Sequence, residues 1–111
     1  MALTKEQILT ANDLKTVVVD MSKEWGGDVI IRELSLKDRI YLEDLAEKDP
    51  NANFTISMLL MTCVDENGNK LFTPEDLDAL CDKNIEAVMK LFKEIKILCK
   101  LDRTQDDIAK N

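Results

Sequence analysis

Eleven residues, Phe54 to Val64, limit what this chain can become more than any others. They read Phe-Thr-Ile-Ser-Met-Leu-Leu-Met-Thr-Cys-Val, apolar on nearly every side of a helix. A helix with no polar face has to be surrounded by other protein. At this length it is too short to cross a bilayer, which takes about 20 apolar residues. The rest of the chain must therefore wrap around it. With 111 residues in all, there is room for one domain and short tails. Hydrophobic residues make up 45% and charged residues 33%, a globular balance.

The wrapping elements are legible on both sides of this run. Thr4-Lys5-Glu6-Gln7 is a capping box that opens a helix over about residues 5–11. Val17-Val18-Val19 loses side-chain freedom in a helix and suits a pleated strand. Asp28-Val29-Ile30-Ile31-Arg32 is a second strand of the same kind. Ser22 to Gly27 lies between them, with Gly26-Gly27 able to take positive φ, so residues 15–34 read as a β-hairpin. A hairpin alone is marginal and has to pack on something. Ser35 with Asp38 opens a helix over about 36–48, with Leu36, Ile40, Tyr41 and Leu45 expected on its inner face. Asp49-Pro50 ends it, because a residue before proline avoids the helical region. The central helix follows at about 53–64. Thr73-Pro74-Glu75-Asp76 starts another, about 74–82, and Asn84 or Lys83 the last, about 84–101. In that last helix Ile85, Val88, Met89, Phe92, Ile95, Leu98 and Cys99 recur at three and four, and Glu86 stands four before Lys90. The expected fold is α+β: a mainly helical single domain over residues 1–103 with an N-terminal β-hairpin, then a polar tail at 104–111.

The chemistry is narrower than the fold. The chain has no histidine, so the commonest general base and metal ligand is missing. Cys63, Cys81 and Cys99 are odd in number and widely spaced, which fits reduced, mostly buried thiols and no zinc site. This composition argues against an enzyme, and no cofactor is implied. Asp65-x-Asn67-x-Asn69 with Asp76 at the twelfth position has the outline of a calcium loop. It places Lys70 where the sharp turn calls for glycine and closes on Asp where Glu is expected. A calcium-responsive module built on those four residues is one alternative.

Net charge is −7, from 15 basic and 22 acidic residues, a poor footing for binding nucleic acid. The charge is segregated. Asp65 to Asp82 carries six acids and one lysine, while Lys83 to Arg103 carries six bases and three acids. Either two solvated faces attract each other, or the second is a basic face for an acidic partner segment. The N-terminus shows no basic region followed by an apolar stretch, so the chain is expected to stay in the cytoplasm where it is made, away from membranes.

Trp25 precedes the glycine pair. It either folds back on the hairpin or projects as an anchor for a partner. Three valines facing Val29-Ile30-Ile31 offer more apolar surface than a two-stranded ribbon hides alone. The candidate partner surface is therefore Trp25, Gly26, Gly27, Arg32 and Glu33, serving another protein or a second copy of this chain.

Trp25-Gly26-Gly27-Asp28-Val29-Ile30-Ile31-Arg32-Glu33-Leu34-Ser35, followed by Lys37-Asp38-Arg39, resembles the tail assembly chaperones of long-tailed bacteriophages. The opening Leu3-Thr4-Lys5-Glu6-Gln7-Ile8-Leu9, the later Val64-Asp65-Glu66-Asn67-Gly68 and Leu71-Phe72-Thr73-Pro74-Glu75-Asp76 extend the likeness over about residues 3–103. Lys23 stands where that family often has proline, Leu34 where it has methionine, and Leu36 where glycine is common. The resemblance implies a non-enzymatic protein that binds the tape measure protein in the infected cell, keeps it soluble during tail assembly and is absent from the mature virion. It also implies a frameshifted longer product whose extra domain recruits the tail tube protein. Ala109-Lys110-Asn111 can be encoded by an adenine run on which such a shift occurs, and a polar end with Asp102, Asp106 and Asp107 tolerates extension. The alternative within the same setting is a structural or adaptor component of the tail.

Overall fold

A computed structural model describes residues 1–49 and 53–101. Its elements are α1 (Lys5–Thr10), β1 (Thr16–Met21), α2 (Ser22–Trp25), β2 (Gly27–Arg32), α3 (Leu36–Lys48), α4 (Phe54–Thr62), β3 (Cys63–Val64), a 3₁₀ turn (Pro74–Asp76), α5 (Leu77–Cys81) and α6 (Ile85–Leu98). This is an α+β domain built around a three-stranded antiparallel sheet in the order β1-β2-β3. The tail at 104–111, and the frameshift position within it, lie outside the described residues.

The core forms where α6 packs on that sheet and α4 packs against α6. Strand alternation sends Val19 and Met21 of β1 inward, and Ile31 and Cys63 join them from β2 and β3. Met58, Leu59 and Leu60 of α4 and Leu91 and Ile95 of α6 meet them, all at or below 1% exposure. α4 is the buried helix its composition requires. Its two inward hydroxyls bond back to their own helix, Thr62 Oγ1 to Met58 O at 2.7 Å and Ser57 Oγ to Asn53 O at 2.8 Å. No polar group of this segment is thereby left bare in the core.

Several elements differ from their sequence reading. The hairpin tip is a short helix, α2, closed by Gly26 at φ 85 in the left-handed region. Gly27 does not share that role; it is the first residue of β2, paired with Met21. The central helix stops at Thr62, and Cys63-Val64 becomes β3, pairing Ile31↔Cys63 and Ile30↔Val64. The hairpin is thus one part of a larger sheet. α3 is also rotated from expectation. Leu36 and Ile40 are 74% and 58% exposed, and Tyr41 and Leu45 are only half-buried. The inner stripe instead starts at Asp38, 6% exposed, and continues four residues on at Leu42, which packs against the core. An ion pair explains the rotation: Asp38 Oδ1 accepts from Lys70 Nζ at 2.7 Å. In α6, Val88, Phe92 and Ile95 are buried as read, Leu91 joins them, and Ile85 and Met89 face outward. Lys90 does not pair with Glu86; its ammonium bonds Asp20 O at 2.9 Å and Glu24 Oε1 at 3.0 Å, tying α6 to the β1–α2 corner.

The three thiols are free and unequal. Cys63 is buried, Cys99 intermediate and Cys81 exposed, so burial is not common to all three. Burial pushes the Cys63 thiol up to about 12 and raises Cys99 as well. Thiolate is the reactive form. A thiol-exchange reagent applied to the native protein should therefore label Cys81 first and Cys99 slowly. Cys63 should react only on unfolding. Rapid labelling of all three would show that the α4–β3 junction opens readily.

Candidate partner-binding surface

The five residues singled out from the sequence do not form one site. Trp25 and Gly26 lie at one end of the hairpin; Arg32 and Glu33 lie at the other, because Met21 pairs with Gly27 and Thr16 with Arg32. Five residues of strand separate the two ends, about 17 Å.

At the far end both charged side chains are used within the chain. Arg32 Nη1 donates to Gly68 O at 3.0 Å, and its buried Nε has no partner. Gly68 has φ 84, and a Cβ there would sit 3.3 Å from Arg32 Nη1, so this turn is built for glycine. Glu33 accepts from Lys15 N at 2.8 Å while its own N–H donates to Lys15 O at 2.9 Å. These contacts close the sheet and secure the 65–70 loop.

At the near end Trp25 keeps 39% of its surface exposed. It lines a cleft of about 460 Å³ with Leu71, Phe72, Ala79, Leu80 and Lys83. A half-covered tryptophan beside apolar walls is suited to receiving one or two apolar side chains.

A larger groove was not evident in the sequence. It has a volume of about 740 Å³, within the range of ligand pockets. Each of three helices contributes a pair four residues apart: Leu42 and Ala46 from α3, Phe54 and Met58 from α4, Phe92 and Lys96 from α6. Leu34 and Leu101 close the ends, and Arg39 and Glu43 stand on the rim. Phe54 is 55% exposed and meets Phe92 edge to face, ring centres 6.2 Å apart. Lys96 Nζ lies 5.3 Å from the Phe92 ring centre, a cation–π contact at the groove wall. Apolar floor, aromatic wall and charged rim are the features that accept an amphipathic helix. The only forewarning was Phe54, the one aromatic in the central run, which sits at its first helical position.

The 65–76 loop holds its oxygens for itself. Asp65 Oδ1 accepts from Asn67 N at 2.8 Å and Asn69 N at 3.0 Å, and Asp76 Oδ2 accepts from Thr73 N at 2.8 Å. Lys70 of the same loop carries its ammonium to Asp38 and Met61 O. Among the described residues there is no group of three or more acidic or cysteine side chains placed to hold a metal ion.

No family model and no curated protein matches the sequence. The structure of the bacteriophage HK97 tail assembly chaperone does match, with a TM-score of 0.59 at 14% identity. The superposition covers 84% of this chain and 90% of that one, so it spans the sheet and helices together. At such low identity what is shared is backbone architecture. The chain has a phage tail assembly chaperone-like fold.

Proposed function

We propose that this protein is a non-enzymatic tail assembly chaperone that binds the tape measure protein and keeps it soluble in the infected cell's cytoplasm until the tail is built. The observation that carries this reading is the shared fold over nearly the whole length of both chains. The α3–α4–α6 groove supports it physically. Long helical proteins expose apolar stripes before assembly, and a groove lined by Phe54, Met58, Phe92 and Leu42 covers such a stripe. Trp25 and its cleft supply a second contact. Under this reading the tail tube protein is reached through a frameshifted extension, and the chaperone leaves before the virion is complete.

The test is a pull-down of a phage tape measure protein by this chain. Wild type should retain it and Trp25→Ala should retain less, with both proteins equally folded by circular dichroism. Mass spectrometry of purified virions separates the alternative: a structural or adaptor component would be found there in stoichiometric amount, a chaperone would not.

A further inference from the structure

The two edges of the sheet are finished differently. β3 is two residues long, and Lys70 forms a bridge with Val64 on its far side, so that edge is short and partly covered. β1 is six residues long and, among the described residues, has no strand beyond it. Strand edges recruit other chains unless they are short, charged, bulged, interrupted by proline or covered. The stretch Thr16 to Val19 has none of these protections: it reads Thr-Val-Val-Val and pairs one-to-one with β2.

The unpaired groups can be placed from the ladder. Glu33 N–H donates to Lys15 O, so Lys15 turns its polar groups toward β2. Alternation then sends the N–H and C=O of Thr16, Val18 and Asp20 to the open side. Lys90 agrees with this, since its ammonium, and no strand, meets Asp20 O at 2.9 Å. The side chains of the edge are uncovered too. Val17, on the same face as buried Val19 and Met21, is 41% exposed, and Val18 on the outer face is 62% exposed. A cleft of about 540 Å³ runs along the edge, with Val17, Val19, Lys23, Lys93 and Glu94 among its walls.

This edge is complementary to itself. Of its three outward-facing residues the middle one is Val18. A second copy turned about a two-fold axis at Val18 makes an antiparallel ladder, Val18 against Val18 and Thr16 against Asp20 of the other copy. Asp20 O keeps a second lone pair for that bond beside Lys90. On the inner face Val17 of each copy then lies against Val19 of the other, at the cleft, and on the outer face the two Val18 side chains meet. The same register brings Lys23 of each copy toward Asp13 of the other. Neither charge has an ion-pair partner among the described residues. A register centred on Val17 would set Lys23 against Ala11 instead.

We propose that this protein pairs through the free edge of β1 with a second copy of itself, joining the two sheets into one across a two-fold axis at Val18. The contact rests on the sheet and not on the function proposed above.

The test is light scattering of the full-length chain at tens of micromolar, which should give twice the chain mass. Val18→Lys sets two ammonium groups against each other at the axis while occupying an exposed position of the monomer. It should raise the dissociation constant at least about tenfold with circular dichroism unchanged. Monomer in wild type would overturn the proposal and leave the edge to an extended segment of another protein. A dimer that Val18→Lys leaves intact would overturn it too, and would assign self-association to another face. Cross-linking reads the register, in a background with Cys81→Ser to remove the exposed native thiol. Mild oxidation should link Val18→Cys to its own copy, since paired Cα atoms there lie about 5.5 Å apart, a disulfide separation. Thr16→Cys, whose copies stand about 14 Å apart in this register, should stay reduced. Equal linking of the two variants would contradict an axis at Val18. No client protein enters these measurements, so their failure leaves the chaperone reading standing.

Discussion

Leu60→Ala should lower the unfolding free energy by about 2–5 kcal/mol, measured by urea titration. Leu60 is fully enclosed, in a helix whose neighbours Met58 and Leu59 are also at 0% exposure. Truncation there removes the transfer free energy of the lost methyl groups. It also leaves a cavity that α4 cannot collapse into, since α3, α5 and α6 all pack on it. A small domain has only about 5–15 kcal/mol in total, so the variant should approach half-unfolding at modest urea. A loss below about 1 kcal/mol would mean that this face of α4 is open to solvent.

Lys70→Met should be the second large effect, about 2–3 kcal/mol at neutral pH. The Asp38 carboxyl is 8% exposed and the Lys70 side chain 33%, so the cost is set below that of a fully buried pair. Removing the ammonium leaves a carboxylate facing the core held by Ser35 alone, whose N–H donates to Oδ2 at 3.1 Å and whose side chain also bonds the carboxyl. Burial works to raise the Asp38 carboxyl, but the Lys70 ammonium and the Ser35 N–H outweigh it and hold the group below the ordinary carboxylate value. A lowered folded-state pKa stabilises the fold above the unfolded value of about 3.9 and loses that contribution as pH falls through the folded one. The gap between wild type and Lys70→Met should therefore narrow below about pH 4. A gap independent of pH would assign the loss to packing of the lysine stem.

Lys70 also shows why some of the architecture was legible and some was not. Local signals read correctly because they are decided within a few residues. The Thr4 and Ser35 capping boxes, the start of the last helix at Asn84 and the buried character of α4 all stand where their side chains put them. Signals decided at long range did not. The face of α3 depends on an ion pair between residues 32 apart, which places Asp38 inside and Leu36 outside. β3 exists because Ile30 and Ile31 of a distant strand offer it an edge, and two residues carry no periodicity. Arg32 and Glu33 were singled out for a partner, yet their hydrogen bonds run to Gly68 and Lys15. The groove was hidden for the same reason: it belongs to three helices whose relative placement no single segment encodes.

The most direct measurement is the soluble yield of the tape measure protein co-expressed with this chain and with Phe54→Asp. Phe54 is half exposed at the first position of α4, where an acid is favoured by the helix dipole, so the substitution alters the groove while sparing the core. Wild type should hold most of the tape measure protein in the soluble fraction and elute with it. Phe54→Asp, equally folded, should leave most of it in the pellet. A tape measure protein that precipitates equally with wild type, the variant and no partner at all would contradict a chaperone role for this fold.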